Sequence, residues 1–121
     1  MSDQTTTSQA PDAGMQRCIA ECLDCHQVCL QTVAFCLRIG GEHAREDHIR
    51  LLTDCAQICL VTADFMARRS PHHAHLCREC AEICAQCAED CDRLGGHEEM
   101  RRCAEACRRC AESCRGMAGA A

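Results

Sequence analysis

The chain has 121 residues, a formal net charge of −5 and 16 cysteines, with no Trp, no Tyr and two Phe. That length suits one compact domain. An acidic balance without a basic run or aromatic platform excludes nucleic acid as the expected partner, and no segment approaches the roughly 20 apolar residues of a membrane span.

Residues 1–14 (MSDQTTTSQAPDAG) are polar and Thr/Ser-rich. They read as a flexible tail, with neither the basic start nor the apolar run of a secretory signal. The expectation is a soluble, cytoplasmic protein. Thiols stay reduced there, and dense cysteine reads as metal binding before it reads as disulfides.

Four helices are expected next, in a domain spanning 15–117. The first runs from Met15 to Ile39 and stops at Gly40-Gly41; glycine is the usual helix terminator. The second runs from Glu42 to Arg69 and ends at Ser70-Pro71. The third continues from there to Leu94 and stops at Gly95-Gly96. The fourth runs from His97 to Arg115, before a Gly/Ala tail. Ala, Leu, Glu, Gln and Arg, all good helix formers, dominate these stretches. Short connections between four helices predict an all-α, up-down-up-down antiparallel bundle.

The cysteines repeat. The pattern C-x3-C-x2-C-x3-C occurs at Cys18-Cys22-Cys25-Cys29, at Cys80-Cys84-Cys87-Cys91 and at Cys103-Cys107-Cys110-Cys114. Cys77 precedes the second set by three residues, and Cys36 follows Cys29 by seven. The second helix keeps the same register through His48, Leu52, Cys55, Cys59, Thr62 and Met66. Alternating steps of three and four form a heptad a/d stripe, which faces the axis of a bundle. The cysteines are therefore expected inside. As small hydrophobes they could pack a modest core, but Leu, Ile, Val and Phe bury more apolar area, so 16 reactive thiols make a poor choice of mere filler.

Residues four apart on a helix have Cβ atoms about 5–6 Å apart. The pairs 18/22, 25/29, 55/59, 80/84, 87/91, 103/107 and 110/114 could each bracket one ion, with bridging ligands from facing helices. Soft thiolates favour Cu(I). Charge points the same way. Four zinc ions in all-thiolate sites would leave about −8 in the core, whereas one Cu(I) per thiolate leaves about zero, and buried uncompensated charge is expensive. Thiols with an ordinary pKa near 8.5 stay mostly protonated in the empty protein, so loading exchanges protons for ions.

Other readings fit less well. An iron–sulfur ferredoxin would carry something like C-x2-C-x2-C-x3-C-P on a loop; Cys22, Cys25 and Cys29 offer a fragment of that on a helix. Disulfides between i,i+4 cysteines would distort the helix. A redox-active thiol protein would show C-x-x-C after a strand. A zinc-holding, metallothionein-like buffer is the remaining alternative.

The repeated C-x3-C-x2-C-x3-C helices and the inward cysteine stripes resemble the cytosolic bacterial copper storage proteins, over about residues 15 to 117. The resemblance implies a homotetramer of four-helix bundles, each holding many Cu(I) ions, with no catalytic turnover. Copper donor and acceptor proteins are further expected partners. Thr32, His48, Thr62 and Met100 stand at stripe positions where the family's pattern would accommodate cysteine.

Antiparallel stacking gathers Cys36, His43, His48, Cys91, His97 and Met100 at the end bearing both Gly-Gly pairs. Imidazole and thioether are acceptable Cu(I) ligands, so His48, His97 and Met100 are candidate ligands at an entrance there. A hydrogen-bonded core histidine and a gap-filling methionine are the plainer readings of His48 and Met100. The other end holds Met15, Met66 and Met117, readable as an apolar plug, together with His72, His73 and His75. His26 lies beside the first stripe and is expected to be peripheral. Leu23, Leu30, Val33 and Leu37, then Ile49, Ile58, Leu60 and Val61, add a second apolar face to the first two helices, which predicts self-association. There is no nucleophile–base pair, phosphate loop or H-E-x-x-H, so no enzyme is expected.

Overall fold

The computed structural model describes residues 12–119. Among these, helices α1 (Ala13–Ile39), α2 (Glu46–Ala67), α3 (His73–Arg93) and α4 (Glu98–Gly119) form an antiparallel up-down-up-down bundle, with one 3-10 turn at Gly41–Ala44. Each helix packs on its two sequence neighbours around a square, and α4 closes the square against α1. The expected tail lies outside the described residues for positions 1–11; positions 13 and 14 are already helical.

The boundaries follow local chemistry. The Asp12 carboxylate accepts a hydrogen bond from the Met15 amide at 2.8 Å, satisfying one of the free N–H groups at the start of α1. That cap starts the helix two residues before the apolar pattern does. At the other end Gly40 takes φ +79° while its amide bonds to the Cys36 carbonyl; this left-handed backbone suits glycine and stops the helix. The second helix departs from its expected start at Glu42. A 3-10 turn comes first and Arg45 is extended, at φ −61° and ψ 145°. Only then does α2 begin, with Glu46 and Asp47 in its first turn, where carboxylates complement the helix dipole. Pro71 lies in the turn before α3 rather than inside it, and α4 extends four residues past Arg115, to Gly119.

Every cysteine is a fully buried free thiol. The interior is completed by Leu52, Met66, Met100 and small side chains such as Ala56, Ala63, Ala104 and Ala106, which let the helices approach closely. The heptad reading therefore holds on all four helices. No helix among the described residues is long and apolar enough to cross a membrane.

Candidate metal centre

The stripes converge on a continuous column of sulfur. Contacts within one helix occur at Cys25–Cys29 (3.9 Å) and Cys80–Cys84 (3.8 Å). The shortest contacts are between helices, at 3.5 Å for Cys22–Cys114, Cys55–Cys84 and Cys59–Cys84 and 3.6 Å for Cys22–Cys110 and Cys18–Cys114, while others, such as Cys25–Cys55 and Cys29–Cys103, reach 3.9 Å. The i,i+4 pairs expected to bracket ions are thus embedded in cross-helix contacts as close as their own or closer.

Groups of four thiols lie with their sulfurs within 4.8 Å of one another. They include Cys22/Cys80/Cys110/Cys114, Cys25/Cys55/Cys59/Cys84 and Cys29/Cys87/Cys103/Cys107. Each draws on three helices, so no single helix carries a site. The groups also overlap. Cys59, Cys80, Cys84 and Cys110 form a further set that links the first two, and Cys25, Cys29, Cys55 and Cys107 one that links the last two. A thiol shared between neighbouring groups can bridge two ions, which makes the column a lattice rather than a string of separate cages.

Proton chemistry fits exchange. Burial, reinforced by the neighbouring Cys103, Cys87 and Asp90 charges, pushes the Cys36 thiol up to about 11. Hydrogen bonding to neighbouring thiols, with burial in the same direction, raises Cys59, Cys84 and Cys91 well above the usual thiol range. Hydrogen bonds from neighbouring thiols lower Cys25, Cys80 and Cys103 in turn, so it is the raised members that hold the protons a soft cation displaces on binding.

At the Gly-Gly end the column meets other donors. Cys36 Sγ lies 3.4 Å from His48 Nε2 and 3.7 Å from Met100 Sδ. Both side chains are essentially inaccessible. His48 Nδ1 lies 2.6 Å from the Asp90 carboxylate. An ionised carboxylate only accepts, so Nδ1 donates to it and Nε2 is the ring nitrogen presented to Cys36. Asp90 is itself gripped by Arg93, with Nη2–Oδ1 at 2.5 Å. Burial pulls the Asp90 carboxyl up, but the hydrogen bonds from His48 and Arg93 outweigh it and hold the group below its ordinary range. A carboxylate behind a ligating imidazole fixes its tautomer and orientation.

His97 sits differently. Its ring packs edge-on against Phe35 and His43, with centroids 5.3 Å away in both cases, so it joins a ring cluster at the same end. His43 Nε2 in that cluster is buried without a hydrogen-bond partner. Thr32 and Thr62 give their hydroxyls to the Val28 and Leu76 carbonyls. His26 lies off the column, with Nδ1 2.7 Å from the Ala56 carbonyl oxygen, tying α1 to α2. At the opposite end Cys77 Sγ lies 3.7 Å from Met66 Sδ. Sequence reasoning missed Asp90 as a partner of His48: one position before Cys91 on a Glu/Asp-rich helix, it reads as solvated.

The family model for copper storage proteins matches residues 12–119. This chain belongs to the copper storage protein family. Solved structures agree. A protein from Nitrosospira multiformis is 41% identical with a TM-score of 0.85, the match covering 89% of this chain and 97% of that one. The Cu(I)-bound copper storage protein BsCsp3 of Bacillus subtilis is 36% identical with a TM-score of 0.81, over 87% of this chain and 98% of that one. A cytosolic copper storage protein from Streptomyces lividans, solved with five coppers, is 34% identical with a TM-score of 0.76, over 88% and 92%; it has also been solved with ten copper equivalents. Comparison with curated proteins finds no match.

Proposed function

We propose that this chain stores Cu(I) in the cytoplasm as a non-catalytic, multi-ion reservoir, taking up and releasing copper through donor and acceptor proteins. The supporting observation is the column of overlapping four-thiol groups, each assembled from three helices. Its ligands are Cys18, Cys22, Cys25, Cys29, Cys36, Cys55, Cys59, Cys77, Cys80, Cys84, Cys87, Cys91, Cys103, Cys107, Cys110 and Cys114. His48 and Met100 add ligands at the Gly-Gly end, and His97 an outer one. The storage domain is residues 15–117, with residues 13 and 14 joining its first helix and the polar tail preceding them. Shared thiolates suit an ion content close to one per sulfur, and soft sulfur favours Cu(I) over zinc.

Anaerobic titration of the reduced protein against a competing Cu(I) chelator tests this reading. More than about ten Cu(I) per chain, with far less Zn(II), is the expected result. Saturation near four ions with zinc preferred would replace copper storage with a zinc buffer.

Assembly into a homotetramer completes the reading. Leu23, Leu30 and Leu37 recur every seven residues along α1 and are 43%, 48% and 57% exposed, and Leu60 and Val61 of α2 are also exposed. Burying a leucine is worth about 1.5–3 kcal/mol, enough to favour association through this stripe. Light scattering should give a tetramer that Leu30→Glu breaks into smaller species. A monomeric parent protein would refute the assembly.

A further inference from the structure

We infer that the end of the column opposite His48 holds a Cu(I) site of its own, in which the thioether of Met66 is a ligand beside the thiolate of Cys77. The inference rests on the copper-storage reading and adds a methionine ligand to it.

Met66 is the last stripe residue of α2 and is completely buried. Its sulfur is presented to a thiol: Cys77, from α3, directs its S–H at Met66 Sδ over 3.7 Å. That distance falls inside the 3.5–3.9 Å range of the thiol contacts in the column. The Cys77 thiol also interacts with Cys18 of α1 and Cys114 of α4, which are themselves 3.6 Å apart. Cys18, Cys77 and Cys114 thus offer thiols from α1, α3 and α4 at this end, and Met66 of α2 reaches the group through Cys77. A plug of methionine packing would require only apolar volume, and it would leave the sulfur free to face any neighbour. Here the sulfur faces the last thiol of its column.

A thioether suits this position chemically. It is soft enough for Cu(I) and neutral, so it completes a coordination shell without adding charge that a buried end would have to neutralise. Two thiolates and one thioether from this group give a three-coordinate ion. The neighbouring histidines offer less: His72 and His75 are exposed, and His73 Nδ1 is 2.9 Å from the Ser70 carbonyl oxygen. The opposite end provides an internal parallel, because Cys36 and Met100 lie at the same 3.7 Å with Met100 equally buried. The column thus ends in a thiol–thioether pair at both ends.

The test uses selenomethionine-substituted protein carrying Met100→Leu, loaded anaerobically with Cu(I) to its measured capacity. Selenium-edge absorption spectroscopy then asks whether any remaining selenium is bonded to copper. A selenium–copper distance of bonding length is expected, and it should disappear when Met66→Leu is added, a nearly isosteric change that leaves the core filled. Full copper uptake with no selenium–copper distance would overturn the inference and leave the storage reading intact. Persistence of the signal in the double variant would assign it to another methionine and equally overturn it. Failure to take up copper at all would refute storage, and this site with it.

Discussion

At the Gly40–Gly96 end of the column, Cys36 is met by Met100 and by His48, with Asp90 and Arg93 lined up behind the imidazole. At the other end Cys77 is met by Met66, with Met15 and the half-buried Met117 around it. The terminal donors at both ends are buried, with Met66 and Met100 at 0% and His48 at 1% exposure. The difference is in ligand chemistry. Sulfur on sulfur makes a holding site, whereas an imidazole is a borderline ligand that grips Cu(I) less strongly than thiolate. A carboxylate behind it keeps the nitrogen aimed without joining the coordination. The polarity of the bundle lies in the His48–Asp90 pair and the Phe35–His43–His97 ring cluster, laid over two otherwise similar thiol–thioether ends.

The largest effect expected from this asymmetry is kinetic. Replacing His48 and Met100 together by Leu should slow anaerobic Cu(I) loading, followed by stopped flow, by at least about tenfold. Most of the capacity, which resides in the cysteines, should remain. Replacing Met66 and Met117 by Leu should leave the loading rate within about twofold if copper enters past His48 and Met100. The reverse order of effects would place the entrance at the methionine end and remove the distinction drawn between the ends.

How much of this was legible before the structure depends on periodicity. The heptad steps placed every cysteine on the axis, and His48 and Met100 came with them because they occupy the same register. The Gly-Gly stops placed the two ends. What periodicity cannot encode is a contact between stripes or beside them. Asp90 lies one residue off the stripe, so its reach across to His48 on α2 depends on helix rotation and interhelix distance. The same holds for Met66 and Cys77, which sit on different helices and whose sulfurs meet only because the α2–α3 turn fixes their levels. The late start of α2 escaped for a local reason: residues 42 to 45 are acceptable helix formers, but Gly40 and Gly41 both take positive φ, at +79° and +59°. That geometry spends the next residues on a 3-10 turn before Asp47 can accept from the His48 amide.

A smaller effect isolates the Asp90 contribution. Asp90→Asn keeps an oxygen that can accept from His48 Nδ1 but removes the charge that Arg93 and the imidazole share. Asp90→Ala removes the acceptor and frees the ring to turn. Loading should slow in the order parent, Asn, Ala, with Asn inside about tenfold and Ala approaching the His48→Leu single variant. Capacity should stay at the parent value in both, since no thiol is touched. A purely structural role would instead be seen as equal losses of thermal stability and capacity with rates unchanged. Nitrogen-15 spectra of the His48 ring provide the independent readout: the parent should show the proton on Nδ1 in the metal-free protein, and Asp90→Ala should show a mixture of tautomers. A parent ring already protonated at Nε2 would mean that Asp90 does not orient it, and the polarity of the bundle would then need another source.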